Sequence, residues 1–460
     1  MKNLYKNKKV LIFGLGLNDG GVGMAEFFLK QGAKVTITDS KSKKELGLTL
    51  IKLKKYEKNI TYHLGKHYKK DFKEADIVVR NPAIPPNNEY LRLAKKHNKE
   101  IVMEISLFLK LFRGTSVGVT GTKGKSTTTT LIYEILKHKF KDRVVLGGNI
   151  GKSVIRELPN LSKQTIAVLE ISSFQLESMG ENKISPNISV ITNIYQDHIN
   201  WHGSVNKYVK AKKCIFKYQK AKDICVLNID NKKLSGLAKK IPAKVIKTSK
   251  SSSLANFYIK KNLHVSNTKI NLKNIKLKGE HNKNNILEAI AVAKTLKVPE
   301  KTIQKVLNEF TGVEGRQQFI REIRGVKFYN DTTATNLEAI SAALESFGKE
   351  YKKKIVMISG GVDKGLDYKI IKRDIEKYVR EIVLLQGTAS EKIYEVLKNT
   401  DIKNTIYKYY DNFEKAIKKA YGLASKGDMV ILCPGAASFN MFINEFDRGK
   451  KFNEIVKKLK

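Results

Sequence analysis

Gly121-Thr122-Lys123-Gly124-Lys125-Ser126-Thr127 follows the apolar run Ser116-Val117-Gly118-Val119 and precedes a helix-prone segment at 128–137. A short β-type run, a Gly-rich turn and a helix start are the parts of a phosphate cradle. The glycines let backbone N–H groups face phosphate oxygens, and the helix N-terminus adds the positive end of its dipole. Lys125 would then reach the β- and γ-phosphates of ATP, and the Ser126 hydroxyl would hold Mg²⁺. The chemistry expected is phosphoryl transfer. The common spacing places a glycine where this chain has Val119, and Gly118 and Gly121 are the glycines present. A bare Gly-Lys-Ser in a Lys-rich chain would be a surface turn; the strand before it and the helix after it favour nucleotide binding.

Three apolar runs downstream end in polar residues. Ile166-Ala167-Val168-Leu169 ends at Glu170, the run 188–193 ends at Asn193 before Asp197-His198, and Ile224-Cys225-Val226-Leu227 is the third. Ligands of open α/β sheets sit outside the carboxyl ends of strands, which places Glu170, Asn193 and His198 for chemistry. Glu170 and His198 would form a mixed oxygen and nitrogen site for Mg²⁺ or Mn²⁺ beside the ATP phosphates. On spacing alone, a helix-capping carboxylate and a structural histidine are equally good readings.

These elements need a large scaffold. A chain of 460 residues exceeds one core and predicts about three domains of ~150 residues. Residues 1–112 alternate strand and helix signals: Val10-Leu11-Ile12-Phe13, the turn Gly14-Leu15-Gly16, a helix over 24–30, and Val35-Thr36-Ile37-Thr38 ending at Asp39. This β-α-β unit is similar to the dinucleotide fingerprint, but the next glycines are Gly20, Gly21 and Gly23. NAD or another nucleotide end fits it equally. Residues 113–313 carry the phosphate loop, with exposed loops or short hairpins after Ser251-Ser252-Ser253. Residues 314–460 resume the alternation, with strands at 354–358, 381–386 and 429–432. Small-residue turns follow at Gly360-Gly361 and Pro434-Gly435-Ala436-Ala437-Ser438. The fold class expected is α/β, with a Rossmann-like N-terminal domain, a central P-loop-type sheet and a Rossmann-like C-terminal domain.

The net charge of +43 invites a nucleic-acid reading. Only 11 of the 87 basic residues are arginines, and the lysines are spread along the chain. A reader of bases and phosphates would use Arg for bidentate contacts. A general Lys bias on solvated faces is therefore the preferred reading, with some attraction for anionic substrates. Three separated cysteines, Cys214, Cys225 and Cys433, imply a reducing compartment and inert thiols. No apolar run approaches the ~20 residues of a membrane span, so a cytoplasmic protein is expected, with no nucleic-acid or membrane partner.

The blocks Gly121–Thr127 (GTKGKST), GGNIG at 147–151, EISSFQLE at 170–177 and 193–198 resemble the Mur ligases. So do GEHNKNN at 279–285, Gly315-Arg316, Asn330-Asp331, Ala334-Thr335-Asn336 and 434–438, all in family order over nearly the whole chain. The SSFQLE block and the short first domain are most similar to the D-glutamate-adding branch. That resemblance implies that ATP phosphorylates the carboxylate of UDP-N-acetylmuramoyl-L-alanine. The amine of D-glutamate then attacks the acyl phosphate, in the synthesis of a peptidoglycan precursor; a monomer is expected. It also implies that Ser126, Glu170 and His198 ligate the metal. Lys212, in a segment where Lys210 and Lys213 compete, would be carbamylated and share the metal. Asn282, Asn285, Arg316 and Asp331 would contact ATP, Asp331 at the ribose and Arg316 at the phosphates. Gly14, Gly16, Asn18 and Asp39 would hold the UDP end, and Asn149 another part of that substrate. Thr335, Lys364 and Ser438 would hold the D-glutamate carboxylates.

Three departures from the family pattern fall near the amino-acid pocket. Thr333 stands where a lysine is common, Phe446 is displaced to follow Glu445, and Lys364 lies in a variant spacing. A ligase adding a different amino acid is the neighbouring reading. A nicotinamide oxidoreductase built on the first domain leaves Lys125, Ser126 and Glu170 unexplained. A nucleic-acid-stimulated ATPase is the remaining alternative, with a steep salt dependence as its signature.

Overall fold

The computed structural model describes residues 3–16, 19–150, 153–195, 199–277, 279–335, 337–348, 350–363, 366–438 and 441–460. The chain divides into two compact units, Met1–Phe310 and Thr311–Lys460. The first unit carries two sheets and the second carries one.

The first sheet is wholly parallel, in the order Ile60–Leu64, Lys34–Asp39, Lys9–Phe13, Ile77–Arg80, Glu100–Val102. Parallel strands are covered on both faces, so they read as unbroken apolar runs; Val10, Leu11, Ile12 and Phe13 are all buried. The chain moves outward from Lys9–Phe13 in one direction and crosses back to Ile77–Arg80 on its other side. That reversal makes a crevice at the carboxyl end of Lys9–Phe13, which is where ligands of such sheets bind. Gly14 and Gly16 stand there. The helix that follows spans Asp19–Lys30 and so starts well before the expected 24–30, with Gly20, Gly21 and Gly23 inside it.

The second sheet runs Phe257–Tyr258, Lys244–Ser249, Ile224–Asn228, Ile188–Ile191, Thr115–Thr120, Ile166–Glu170, Val144–Gly148, again wholly parallel. Its strand order also reverses around Thr115–Thr120. The phosphate loop therefore leaves the sheet at the switch point, with the ends of Ile166–Glu170 and Ile188–Ile191 on either side. One apolar cluster takes in residues from both sheets and their helices, from Ile12, Phe28 and Phe108 to Leu169, Ile191 and Tyr208.

The second unit has the order Gln318–Ile323, Val326–Asn330, Met429–Leu432, Ile355–Ser359, Val379–Leu385, Ile406–Tyr410. All neighbours are parallel except the first pair. That pair is a hairpin turning on Arg324 and Gly325, with φ of 48° and 78°, the positive values that a tight hairpin turn demands. Apolar clusters cover both faces of this sheet. Among the described residues, no helix is long and apolar enough to cross a membrane.

Candidate active site

The phosphate loop is shaped by close approaches. Gly124 caps the helix Lys125–Phe140 with φ of 84°, and a Cβ placed on it would lie 2.3 Å from Asn285 Oδ1. A Cβ on Gly121 would lie 1.9 Å from Thr192 Oγ1. The loop is braced from the neighbouring strand end. Asn193 accepts from Lys123 N at 2.9 Å and donates to its carbonyl at 3.0 Å, and Thr192 Oγ1 donates to the same carbonyl at 2.5 Å. Asn193 thus holds the loop's shape. Lys125 Nζ folds back over the loop, donating to the carbonyls of Gly121 at 2.9 Å and Thr122 at 3.0 Å. The Thr122 hydroxyl meets Tyr208 OH at 2.9 Å, and Thr127 lies in the first turn of the helix.

Glu170 is 1% exposed and shared by two partners. Its Oε2 accepts from Ser126 Oγ at 2.5 Å and its Oε1 from Asn149 Nδ2 at 2.9 Å. The side-chain amide of Asn149, expected to face substrate, is bound to Glu170 here. Hydroxyl and carboxylate oxygens at a strand end beside a glycine cradle are the hard donors that suit Mg²⁺, so these residues fit the metal. Lys212 reaches the same corner from the helix Val205–Lys217. It is 1% exposed, with Nζ 2.9 Å from the Gly121 carbonyl, 3.3 Å from Thr120 Oγ1 and 4.9 Å from the Tyr208 ring centre. Lys210 is not among the buried residues of that helix, which separates it from Lys212. His198 lies outside the described residues.

The helix Glu280–Thr295 packs along the phosphate-loop helix. Asn285 Nδ2 donates to Asn282 Oδ1 at 2.9 Å, and its own Oδ1 faces Gly124. One turn deeper lies Glu288, fully buried, which accepts from Thr128 Oγ1 at 3.2 Å. Its other oxygen has no hydrogen-bond partner among the described residues. Burial pushes its carboxyl from 4.5 up to about 8. As pH rises through 4.5 the unfolded chain ionises while the folded one keeps its proton, so stability falls until about 8 and is flat above. Glu288→Gln should abolish that slope. In urea unfolding the variant should gain on the wild type across this window, by on the order of 4 kcal/mol at its upper end. A difference that does not vary with pH would refute the assignment.

At the crevice of the first sheet, Asp39 is 5% exposed. It accepts from Gly16 N and from Lys41 N, both at 2.9 Å, and so shapes the loop expected to hold the UDP end. The Gly14 carbonyl accepts from Asn81 Nδ2 at 3.0 Å. Asn18 lies outside the described residues.

In the second unit, the ends of Val326–Asn330 and Met429–Leu432 adjoin, which brings two expected loops together. Asp331 N donates to the Leu432 carbonyl at 2.8 Å and Gly435 N to the Ala334 carbonyl at 2.7 Å. Burial raises the Asp331 carboxyl to about 7, against the opposing pull of the Gln317 amide and the Arg316 charge. Arg448, which the sequence reading passed over, is buried and ties these loops. It donates to Thr332 Oγ1 at 3.0 Å, to the Thr332 carbonyl at 2.9 Å and to the Ala436 carbonyl at 3.4 Å. Ser438 is 2% exposed and its Oγ has no hydrogen-bond partner among the described residues. A buried orphan hydroxyl is costly unless a ligand satisfies it. Thr335 closes the first loop, its N–H bonded to the Thr333 carbonyl at 2.9 Å. Thr333 is spent internally on the Gly315 carbonyl. Phe446 is 55% exposed, while Phe442 lies in the core at 8%. Lys364 lies outside the described residues.

Tyr208, Glu288 and Arg448 were not expected as parts of the site. Tyr208 had a signal, a tyrosine one helical turn before Lys212 on the same face. The two ionisable groups had none, because burial of a single ionisable side chain is not visible in local spacing.

Three family models match the chain. "Mur ligase MurD-like, N-terminal domain" covers residues 8–103, "Mur ligase middle domain" 119–293, and "Mur ligase, glutamate ligase domain" 315–436. A Roseiflexus protein named UDP-N-acetylmuramoylalanine–D-glutamate ligase is 39% identical over 98% of both chains. A protein of the same name from Clostridioides difficile is 36% identical over 99% of both. Among solved structures, the UDP-N-acetylmuramate–alanine ligase MurC of Thermotoga maritima aligns with a TM-score of 0.59 at 19% identity. It covers 98% of this chain and 100% of that one, a likeness of fold.

Proposed function

The chain belongs to the Mur ligase family, and from that premise we propose the role of each part of its site. The reaction is the ATP-dependent addition of D-glutamate to UDP-N-acetylmuramoyl-L-alanine, a step in making the peptidoglycan precursor. The observation that carries the assignment of the phosphoryl-transfer site is the Ser126 hydroxyl 2.5 Å from the buried Glu170 carboxylate, at the mouth of a glycine cradle.

The backbone N–H groups of 121–127, the helix N-terminus and Arg316 bind the ATP phosphates, Asp331 takes the ribose, and Asn282 and Asn285 make further nucleotide contacts. The Lys125 ammonium neutralises charge on the transferring phosphoryl group. Ser126 and Glu170, with His198, hold Mg²⁺, which supplies Lewis-acid stabilisation of the phosphate oxygens. The alanyl carboxylate oxygen attacks the γ-phosphorus and ADP leaves, giving an acyl phosphate. The uncharged amine of D-glutamate then adds to the acyl carbon, the tetrahedral intermediate expels phosphate, and the amide nitrogen loses its proton. Activation is needed because a carboxylate is a poor electrophile. Thr335, Lys364 and Ser438 hold the D-glutamate carboxylates, a role supported by the buried Ser438 hydroxyl, which has no partner among the described residues. Gly14, Gly16, Asn18 and Asp39 take the UDP end, and Asn149 orients Glu170 beside the muramoyl carboxylate. Lys212, once its uncharged amine has added CO₂, presents a carboxylate to the same corner. A domain division at 1–112, 113–313 and 314–460 gives the UDP end to the first part, the ATP phosphates to the second, and D-glutamate with part of the nucleotide to the third, in a monomer of the cytoplasm.

Phosphate release from Mg-ATP and UDP-N-acetylmuramoyl-L-alanine should require D-glutamate and should fail with L-glutamate, L-lysine or meso-diaminopimelate. The product should carry the mass of one added glutamate. Release with another amino acid would keep the ligase and move the error to the Thr333 neighbourhood. No release with any of them would overturn the assignment. Equilibration with ¹³C-bicarbonate should give a carbamate carbon resonance that Lys212→Ala lacks.

A further inference from the structure

Gly20, Gly21 and Gly23 break the dinucleotide fingerprint, lie inside the helix Asp19–Lys30 and have no part in the proposed chemistry. Glycine inside a helix costs about 1 kcal/mol relative to alanine, so three of them need a reason. Close approaches supply it: the Leu15 carbonyl at Gly21, Glu104 at Gly20, and Ser153, in the segment just beyond Asn149, at Gly23. A Cβ on Gly23 would lie 1.9 Å from Ser153 Oγ and 2.4 Å from Ser153 Cβ, and one on Gly20 would lie 3.3 Å from Glu104 Oε2. Only a bare helix face admits the segment this closely.

Around that contact, polar groups lock the segment in place. Glu104 Oε1 accepts from Ser153 Oγ at 2.6 Å and from Ile155 N at 3.2 Å. Asp19 Oδ2 accepts from Ser153 N at 3.2 Å and from the Arg156 guanidinium, whose Nε also donates to Glu26. Lys52 and Lys55 stand 3.7 Å from Asp19 and 3.6 Å from Glu26. The partners come from the helix that follows Gly16, from the helix Glu104–Leu111, and from the segment that follows Asn149.

We infer that this Asp19–Glu104–Ser153–Arg156 clasp is a positioning device for the muramoyl nucleotide. It sets the span between the Gly14–Gly16 loop and the Asn149–Glu170 corner, so that a substrate gripped at both ends meets the phosphoryl-transfer site in register. This rests on the ligase reading, in which one substrate bridges those two places. A misplacement of about 1 Å can cost ~10²-fold in such a site, which gives the chain a reason to fix this distance with partly buried ion pairs and hydrogen bonds.

Calorimetric titrations of UDP-N-acetylmuramoyl-L-alanine, UDP alone and ATP should be made on wild type, Arg156→Met, Ser153→Ala and Gly23→Ala. Affinity for the whole muramoyl nucleotide should fall about tenfold in the variants. Affinity for UDP, which spans nothing, and for ATP should be unchanged. An equal loss for UDP, or no loss for the muramoyl nucleotide, would overturn the clasp alone. Wild-type protein that fails to bind the muramoyl nucleotide would overturn the ligase reading and the clasp with it. Should Gly23→Ala fail to fold, Arg156→Met and Ser153→Ala, which add no bulk at the contact, decide the matter.

Discussion

Glu170→Gln is expected to lower kcat by about 10³-fold, the scale of losing one preorganised electrostatic group at a transition state. The substitution preserves volume at a position that is 1% exposed, so packing survives. Asn149 Nδ2 donates to one Glu170 oxygen and Ser126 Oγ to the other. A glutamine keeps its carbonyl toward Asn149 and turns its amide toward Ser126, whose hydroxyl can rotate to accept. What the variant loses is the negative charge proposed to hold Mg²⁺ beside the γ-phosphate. The loss should therefore come with an increased Mg²⁺ requirement, and with a thermal midpoint close to that of the wild type. Phosphate release measured across a Mg²⁺ series checks both. A variant within about tenfold of wild-type kcat would remove Glu170 from the metal site.

Lys125→Met should reduce activity by a similar factor of about 10³, and Lys125→Arg should not restore it. The ammonium now lies 2.9 Å and 3.0 Å from two carbonyls of its own loop, an arrangement that a compact point charge can take up and leave when phosphate arrives. A planar guanidinium needs a wider fork of acceptors, and the loop is too tight to supply it, with Gly124 pressed against Asn285 and Gly121 against Thr192. Single-turnover phosphate formation at saturating ATP separates this charge effect from weaker nucleotide binding. Full activity in the arginine variant would show that Lys125 provides positive charge without defined geometry.

The strands at 166–170 and 429–432 were expected with the bounds the structure has. A parallel strand buried on both faces must be apolar at every position, which leaves a run that needs no partner to be recognised. The hairpin Gln318–Ile323 and Val326–Asn330 was passed over. Its turn uses Arg324 at positive φ, where Asn or Asp would have announced it. The helix Asp19–Lys30 starts early because its glycines are set by what approaches them, and nothing in their local spacing says so. Asn193 was expected as a polar residue at a strand end and Asn149, by resemblance, as a substrate contact, but their partners, the Lys123 backbone and Glu170, come from elsewhere in the chain.

The sequence by itself determined the α/β class, the phosphate loop and the order of the ligase blocks, since each is written in consecutive residues whose chemistry is local. The tertiary structure decided which distant groups share a corner. Ser126 and Glu170 meet across 44 positions and Lys212 and Gly121 across 91. Those meetings follow from the strand order, which brings the ends of three neighbouring parallel strands to one edge of the sheet. In the second unit, Arg448 reaches Thr332 and Ala436 from the helix Glu445–Lys458. Pairing between strands depends on contacts of long sequence separation, which no single segment encodes.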